Sequence, residues 1–120
     1  MKTILIVEDV ELNRDLLIQL LEDHYRVIVA EDGETALART VAEQPDLILM
    51  DLSLPGVDGW ETTRRIKSDQ HLRASPVIAL SAHAMPLHEQ RARESGCDEF
   101  LTKPIDDTLL CSTLARYLGD

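Results

Sequence analysis

Three acidic residues, one serine and one lysine stand directly behind short apolar runs. Glu8 and Asp9 follow TILIV (3–7), Asp51 follows LILM (47–50), Ser81 follows PVIAL (76–80), and Lys103 follows EFLT (99–102). Brought together, these groups form a recognisable chemical set. Carboxylates sharing one cleft repel and raise one another's pKa. A divalent cation removes that penalty, and Mg²⁺, which favours one or two carboxylates plus a phosphate, suits such hard oxygen donors. An ammonium group adds a second point charge fit for a phosphoryl oxygen. A carboxylate held between metal and lysine can act as a nucleophile toward phosphorus, while both cations stabilise the charge of the group in transit. On this reading Asp51 is a phosphoacceptor.

Taken singly, each residue has a plainer use. Glu8 and Asp9 would serve as a helix N-cap pair, Asp51 as the start of a turn, Ser81 as a loop hydroxyl and Lys103 as a solvated lysine before Pro104. Their common position at strand ends is what joins them.

The elements that must position them follow from the apolar pattern. Five runs (3–7, 27–30, 47–50, 76–80 and 99–102) read as strands, and the first four are continuous rather than alternating. That pattern fits strands buried on both faces of a parallel sheet. Helical spacing fills the gaps over 10–25, 32–44, 58–69, 86–97 and 106–118. Pro45 stops the second helix; Pro86 opens the fourth and Gly96 closes it. Strands alternating with helices across one domain predict a doubly wound α/β fold. Parallel strands place their C-terminal ends on one edge, where open α/β sheets carry their ligand site.

Composition narrows the function. The 120 residues carry a net charge of −10, which disfavours nucleic acid and anionic membrane surfaces as partners. No apolar run is long enough to span a membrane, and MKTILIVED lacks a signal-peptide pattern, so the cytoplasm is the expected compartment. Cys97 and Cys111 match no zinc spacing and read as reduced, buried small hydrophobes.

The segments VEDVELNR (7–14), LILMDLSLPGVDG (47–59), VIALSAHA (77–84) and GCDEFLTKPID (96–106) closely resemble the receiver domain of two-component response regulators, over nearly the whole chain. The resemblance implies a flavodoxin-like, five-stranded parallel sheet of order 2-1-3-4-5 with five flanking helices, spanning residues 1–120 with no output domain among them. It makes Asp51 the phosphorylated residue and Glu8, Asp9 and Asp51 the Mg²⁺ ligands, with the backbone carbonyl of Ser53 as a further ligand. It makes Ser81 the switch hydroxyl, Phe100 the switch aromatic, and Lys103 the phosphate-facing lysine, joined to Pro104 by a cis bond. The donor would be a phosphohistidine on a sensor histidine kinase or a histidine phosphotransfer protein, and the listener a downstream effector protein. Such a domain is not a turnover enzyme; it catalyses its own phosphorylation and slow autodephosphorylation.

Three finer expectations complete the reading. Ser53 and His83, each two residues past a site residue, tune the lifetime of the phosphoryl aspartate. None of His24, His71, His83 and His88 acts as the donor. On the first helix Ile18 lies away from a core-facing group of Leu16, Leu17 and Leu20 and helps to dock the donor protein. Two other chemistries fit less well. A haloacid-dehalogenase-type phosphatase needs a second acid where this chain has Ser53, and a nucleotide or flavin module wants a glycine-rich loop where this chain has VEDVELN.

Overall fold

The computed structural model describes residues 1–52, 58–82 and 86–119. Strands and helices alternate: β1 (Thr3–Val7), α1 (Glu11–Leu21), β2 (Arg26–Ala30), α2 (Gly33–Glu43), β3 (Leu47–Asp51), α3 (Gly59–Ser68), β4 (Val77–Ser81), α4 (Pro86–Glu94), β5 (Glu99–Thr102) and α5 (Asp107–Leu118). The five strands form one parallel sheet in the order β2-β1-β3-β4-β5. The doubly wound expectation therefore holds in strand number, direction and order.

The pleat sorts the core into two layers. Leu5, Val7, Ile48, Met50, Val77 and Ala79 pack on the side of α2 and α3, whereas Ile4, Ile6, Leu47, Leu49, Ile78 and Leu80 pack on the side of α1 and α5. Successive residues of a strand point to opposite faces, so an unbroken apolar run is what a sheet covered on both sides requires.

Helix ends are set by local chemistry. The Asp32, Asp58 and Asp106 side chains cap α2, α3 and α5 by accepting from Thr35 N, Glu61 N and Leu109 N, satisfying amides that lack an intrahelical partner. α1 differs, because it starts from Val10, which has no side-chain cap. α5 closes at Gly119 in the left-handed conformation, as glycine readily allows.

Three expectations are corrected. Helix α1 ends at Leu21 rather than running to residue 25. Its buried side is centred on Leu17 and Leu21, with Ile18 partly buried against the same core, while Leu16 is 57% exposed. The stripe runs 14, 17, 18, 21, with Leu20 partly buried against the same core as expected, and a helical period alone does not fix where such a stripe begins. Cys97 is buried, but Cys111 faces solvent on α5. His24 and His71 are exposed. Among the described residues no helix is long and apolar enough to cross a membrane.

Candidate functional site

The sheet delivers the chemical residues to one edge. β1 stops at Val7, and Glu8 remains tied to the neighbouring strand through its amide, which donates to Ala30 O at 3.0 Å. Asp51 and Ser81 are the last residues of β3 and β4, one step further into the strands than the apolar runs suggest. The ladder pairs Asp51 with Leu80, so Ser81 stands one residue beyond. Lys103 follows β5, and its amide donates to Ser81 O at 2.7 Å. The Lys103–Pro104 peptide is cis.

The side chains converge. One carboxylate oxygen from each of Glu8, Asp9 and Asp51 lies within 4.8 Å of the others. Lys103 Nζ stands 3.1 Å from Glu8 Oε1 and 3.5 Å from Asp51 Oδ1. Glu8 and Asp51 are almost fully buried, at 1% and 3% exposure, whereas Asp9 faces solvent. Burial, reinforced by the adjacent Asp51 carboxyl and opposed by Lys103, pushes the Glu8 carboxyl up to about 7.

Glu8 Oε2 is buried without a hydrogen-bond partner among the described residues. A buried oxygen of this kind costs free energy unless something binds it. Three hard oxygen donors converging around an orphaned lone pair fit a divalent cation of the Mg²⁺ or Ca²⁺ class.

Two residues that frame the site had no role assigned from sequence. Gly59, at the first turn of α3, lies so close to the end of β3 that a Cβ there would collide with the Asp51 carbonyl oxygen and sit 2.6 Å from Leu52 Cα. The motif spelling Asp58-Gly59 carried that signal, but its reason is a tertiary approach of helix and strand. Arg14 on α1 donates through Nη1 to the backbone carbonyls of Glu8 and Asp9, at 3.1 and 3.3 Å.

Ser81 is buried, and Phe100 is half-buried against the α2–α3 layer. By strand alternation Asp51 continues the Leu47–Leu49 row on the α1–α5 side, and Ser81 continues the Val77–Ala79 row on the other. Ser53 and His83 lie outside the described residues. A cleft of about 510 Å³ opens between α1 and the segment joining β5 to α5. Leu16, Leu17, Leu20 and Ile105 line it, together with Glu8 and Lys103.

Comparison with known proteins gives consistent results. A family model described as the response regulator receiver domain matches residues 4–115. The chain is 44% identical over 120 residues to the polar-differentiation response regulator DivK of Brucella ovis, covering 99% of this chain and 98% of that protein. The receiver domain of the sensor histidine kinase PA1611 from Pseudomonas aeruginosa, solved with magnesium coordinated in its active-site cleft, superposes with a TM-score of 0.91. It is 33% identical, over 99% of this chain and 98% of that one. The receiver domain in the co-crystal of the Saccharomyces cerevisiae histidine phosphotransfer protein Ypd1 with the response regulator Ssk1 gives 0.88 at 27% identity, over 97% of this chain and 88% of that one.

Proposed function

Because the chain belongs to the response regulator receiver family of two-component systems, we propose that Asp51 is its phosphoacceptor and that a phosphohistidine on a partner protein is the donor. The observation that carries this reading is the placement of Asp51, buried beside two acidic neighbours and 3.5 Å from a lysine ammonium drawn from the far end of the chain. The Asp51 carboxylate oxygen attacks phosphorus, the N–P bond to the donor imidazole breaks, and an acyl phosphate forms on Asp51. The Lys103 ammonium neutralises one phosphoryl oxygen as the charge redistributes. Glu8, Asp9 and Asp51, with the carbonyl of Ser53 that the family resemblance implies, would hold Mg²⁺, which when bound would supply Lewis-acid stabilisation of the phosphoryl oxygens. That the PA1611 receiver domain carries magnesium in its cleft supports this choice of ion.

Phosphorylation adds charge and acceptor oxygens beside Ser81. Ser81 turns to that group and Phe100 follows, shifting the populations of two surface arrangements presented to a downstream effector. The donor class is supported by the Ypd1–Ssk1 complex. Leu16 lines the cleft between α1 and the start of α5, and Leu12 and Leu109 are exposed on the same two helices. Together they offer an apolar surface to the donor, in place of Ile18. The reaction is self-catalysed and followed by slow hydrolysis, without turnover of an external ester, and the cytoplasm is the compartment proposed for it.

The test is incubation with a small acyl phosphate, with and without Mg²⁺, read by intact mass and peptide mapping. One phosphoryl group on the Asp51 peptide, dependent on Mg²⁺, is expected. In Asp51→Asn the fold persists and the phosphate is absent; an Asp51→Asn protein that still acquires a hydroxylamine-labile phosphate would rule out this acceptor.

A further inference from the structure

Resting on the cation site just proposed, we infer that Arg14 is its positioning residue, the side chain that holds the Glu8–Asp9 backbone in the shape the ion requires. Arg14 lies on α1, its side chain only 14% exposed, and does not itself reach the metal as a ligand, being a cation. Its Nη1 spans two consecutive carbonyls, those of the two residues whose carboxylates face Asp51. Those residues sit in the one helix entry that lacks a side-chain cap, of the four for which α1, α2, α3 and α5 show their caps. On the strand side the segment is anchored by the Glu8 amide on Ala30 O. On the helix side the anchor is Arg14. The other arm of the guanidinium, Nη2, faces Glu31 Oε1 at 3.6 Å, but Glu31 is 71% exposed, so that pair is screened and weak.

Two effects of Arg14 on a cation oppose each other, and their signs differ. As a nearby positive charge it repels Mg²⁺, so charge alone predicts that its removal tightens binding. As the clamp on two ligand-bearing residues it keeps their backbone fixed, so positioning predicts that its removal weakens binding. Groups that orient metal ligands typically change affinity by about 10-fold or more. Mg²⁺ also demands a near-ideal octahedron, whereas Ca²⁺ tolerates irregular geometry. Loss of a clamp therefore weakens Mg²⁺ more than Ca²⁺.

The experiment titrates Mg²⁺ and, separately, Ca²⁺ into the full chain by calorimetry, at a pH above the Glu8 value. Wild type, Arg14→Gln, Arg14→Lys and Glu31→Gln are compared, with folding checked by thermal melts of the metal-free proteins. Arg14→Gln is expected to weaken Mg²⁺ by about 10-fold, with a smaller loss for Ca²⁺. Glu31→Gln should change Mg²⁺ affinity by no more than about twofold. Equal or tighter Mg²⁺ binding in folded Arg14→Gln overturns the inference. If that variant does not fold, Arg14→Lys decides: it keeps the charge and lacks the planar fork, so weakened Mg²⁺ supports the clamp and unchanged Mg²⁺ overturns it. A wild-type chain that takes up no Mg²⁺ sinks the proposed site itself, and the clamp with it. Wild-type binding matched by the variants sinks the clamp alone.

Discussion

Lys103 and Glu8 meet at 3.1 Å across 95 residues of sequence, each standing just past the C-terminal end of a different strand, β5 and β1. The ammonium is shared, since Asp51 Oδ1 lies 3.5 Å from the same nitrogen. Lys103→Met should leave a folded protein that still binds Mg²⁺ but slow Asp51 phosphorylation by a small acyl phosphate by about 10²-fold, the loss typical when one donor to a developing oxyanion is removed. Time courses of intact mass at fixed donor concentration measure it. A rate within error of wild type would remove Lys103 from the chemistry.

The Glu8 carboxyl makes the metal-free protein sensitive to pH. Its ordinary value is 4.5, and burial beside Asp51 lifts it to about 7 in the fold. The folded state thus binds this proton more tightly than the unfolded chain does. The resulting stability is fully present below pH 4.5 and is lost as pH rises through about 7. In chelator, the melting temperature should fall across that window, and Glu8→Gln should flatten the slope. Since the proton must leave before a metal enters, Mg²⁺ affinity should rise by about tenfold per pH unit up to that value and then level off. Melts against pH and calorimetry at several pH values check both slopes.

Gly59 tests how tightly the acceptor strand is held. Gly59→Ala introduces a methyl group where the Asp51 carbonyl oxygen and Leu52 Cα already are. The backbone at one of these points must give way, at about 1–3 kcal/mol for an overpacked interior. Urea unfolding should show that loss, and acyl phosphate labelling of Asp51 should slow along with it. A variant as stable as wild type would mean that α3 moves aside without strain.

Leu16 separates donor docking from chemistry. It is 57% exposed and lines the cleft beside Glu8 and Lys103. Leu16→Glu should slow transfer from a phosphorylated histidine phosphotransfer protein by about 10-fold, the scale of a lost apolar anchor. The rate from a small acyl phosphate should stay unchanged. Parallel assays with the two donors give the ratio, and equal slowing with both would remove Leu16 from docking.

Much of the fold and of the candidate site is legible in the sequence. Glu8, Asp9, Asp51, Ser81 and Lys103 announce themselves because each follows an apolar run, and parallel strands bring run ends to one edge. What stayed hidden depends on tertiary contact. Leu16 and Ile18 exchanged places because a helical period leaves the phase of the stripe open, and Leu12, Leu16 and Leu109 look like core residues while lying at a surface. Arg14 ends the VEDVELNR motif, yet nothing in its spacing reveals a guanidinium reaching back to two carbonyls. Cys111 shares its residue type with Cys97 and not its environment.

The alternation of the pleat has a consequence for crowding. Asp51 belongs to the row that looks toward α1 and α5, while Ser81 and Phe100 belong to the row that looks the other way. If Asp51 takes the phosphoryl group and Ser81 and Phe100 pass the change on, as proposed, the sheet is a partition with a loading bay on one wall and a signal window on the other. A visitor delivering a phosphoryl group and one reading the outcome need not queue for the same doorway.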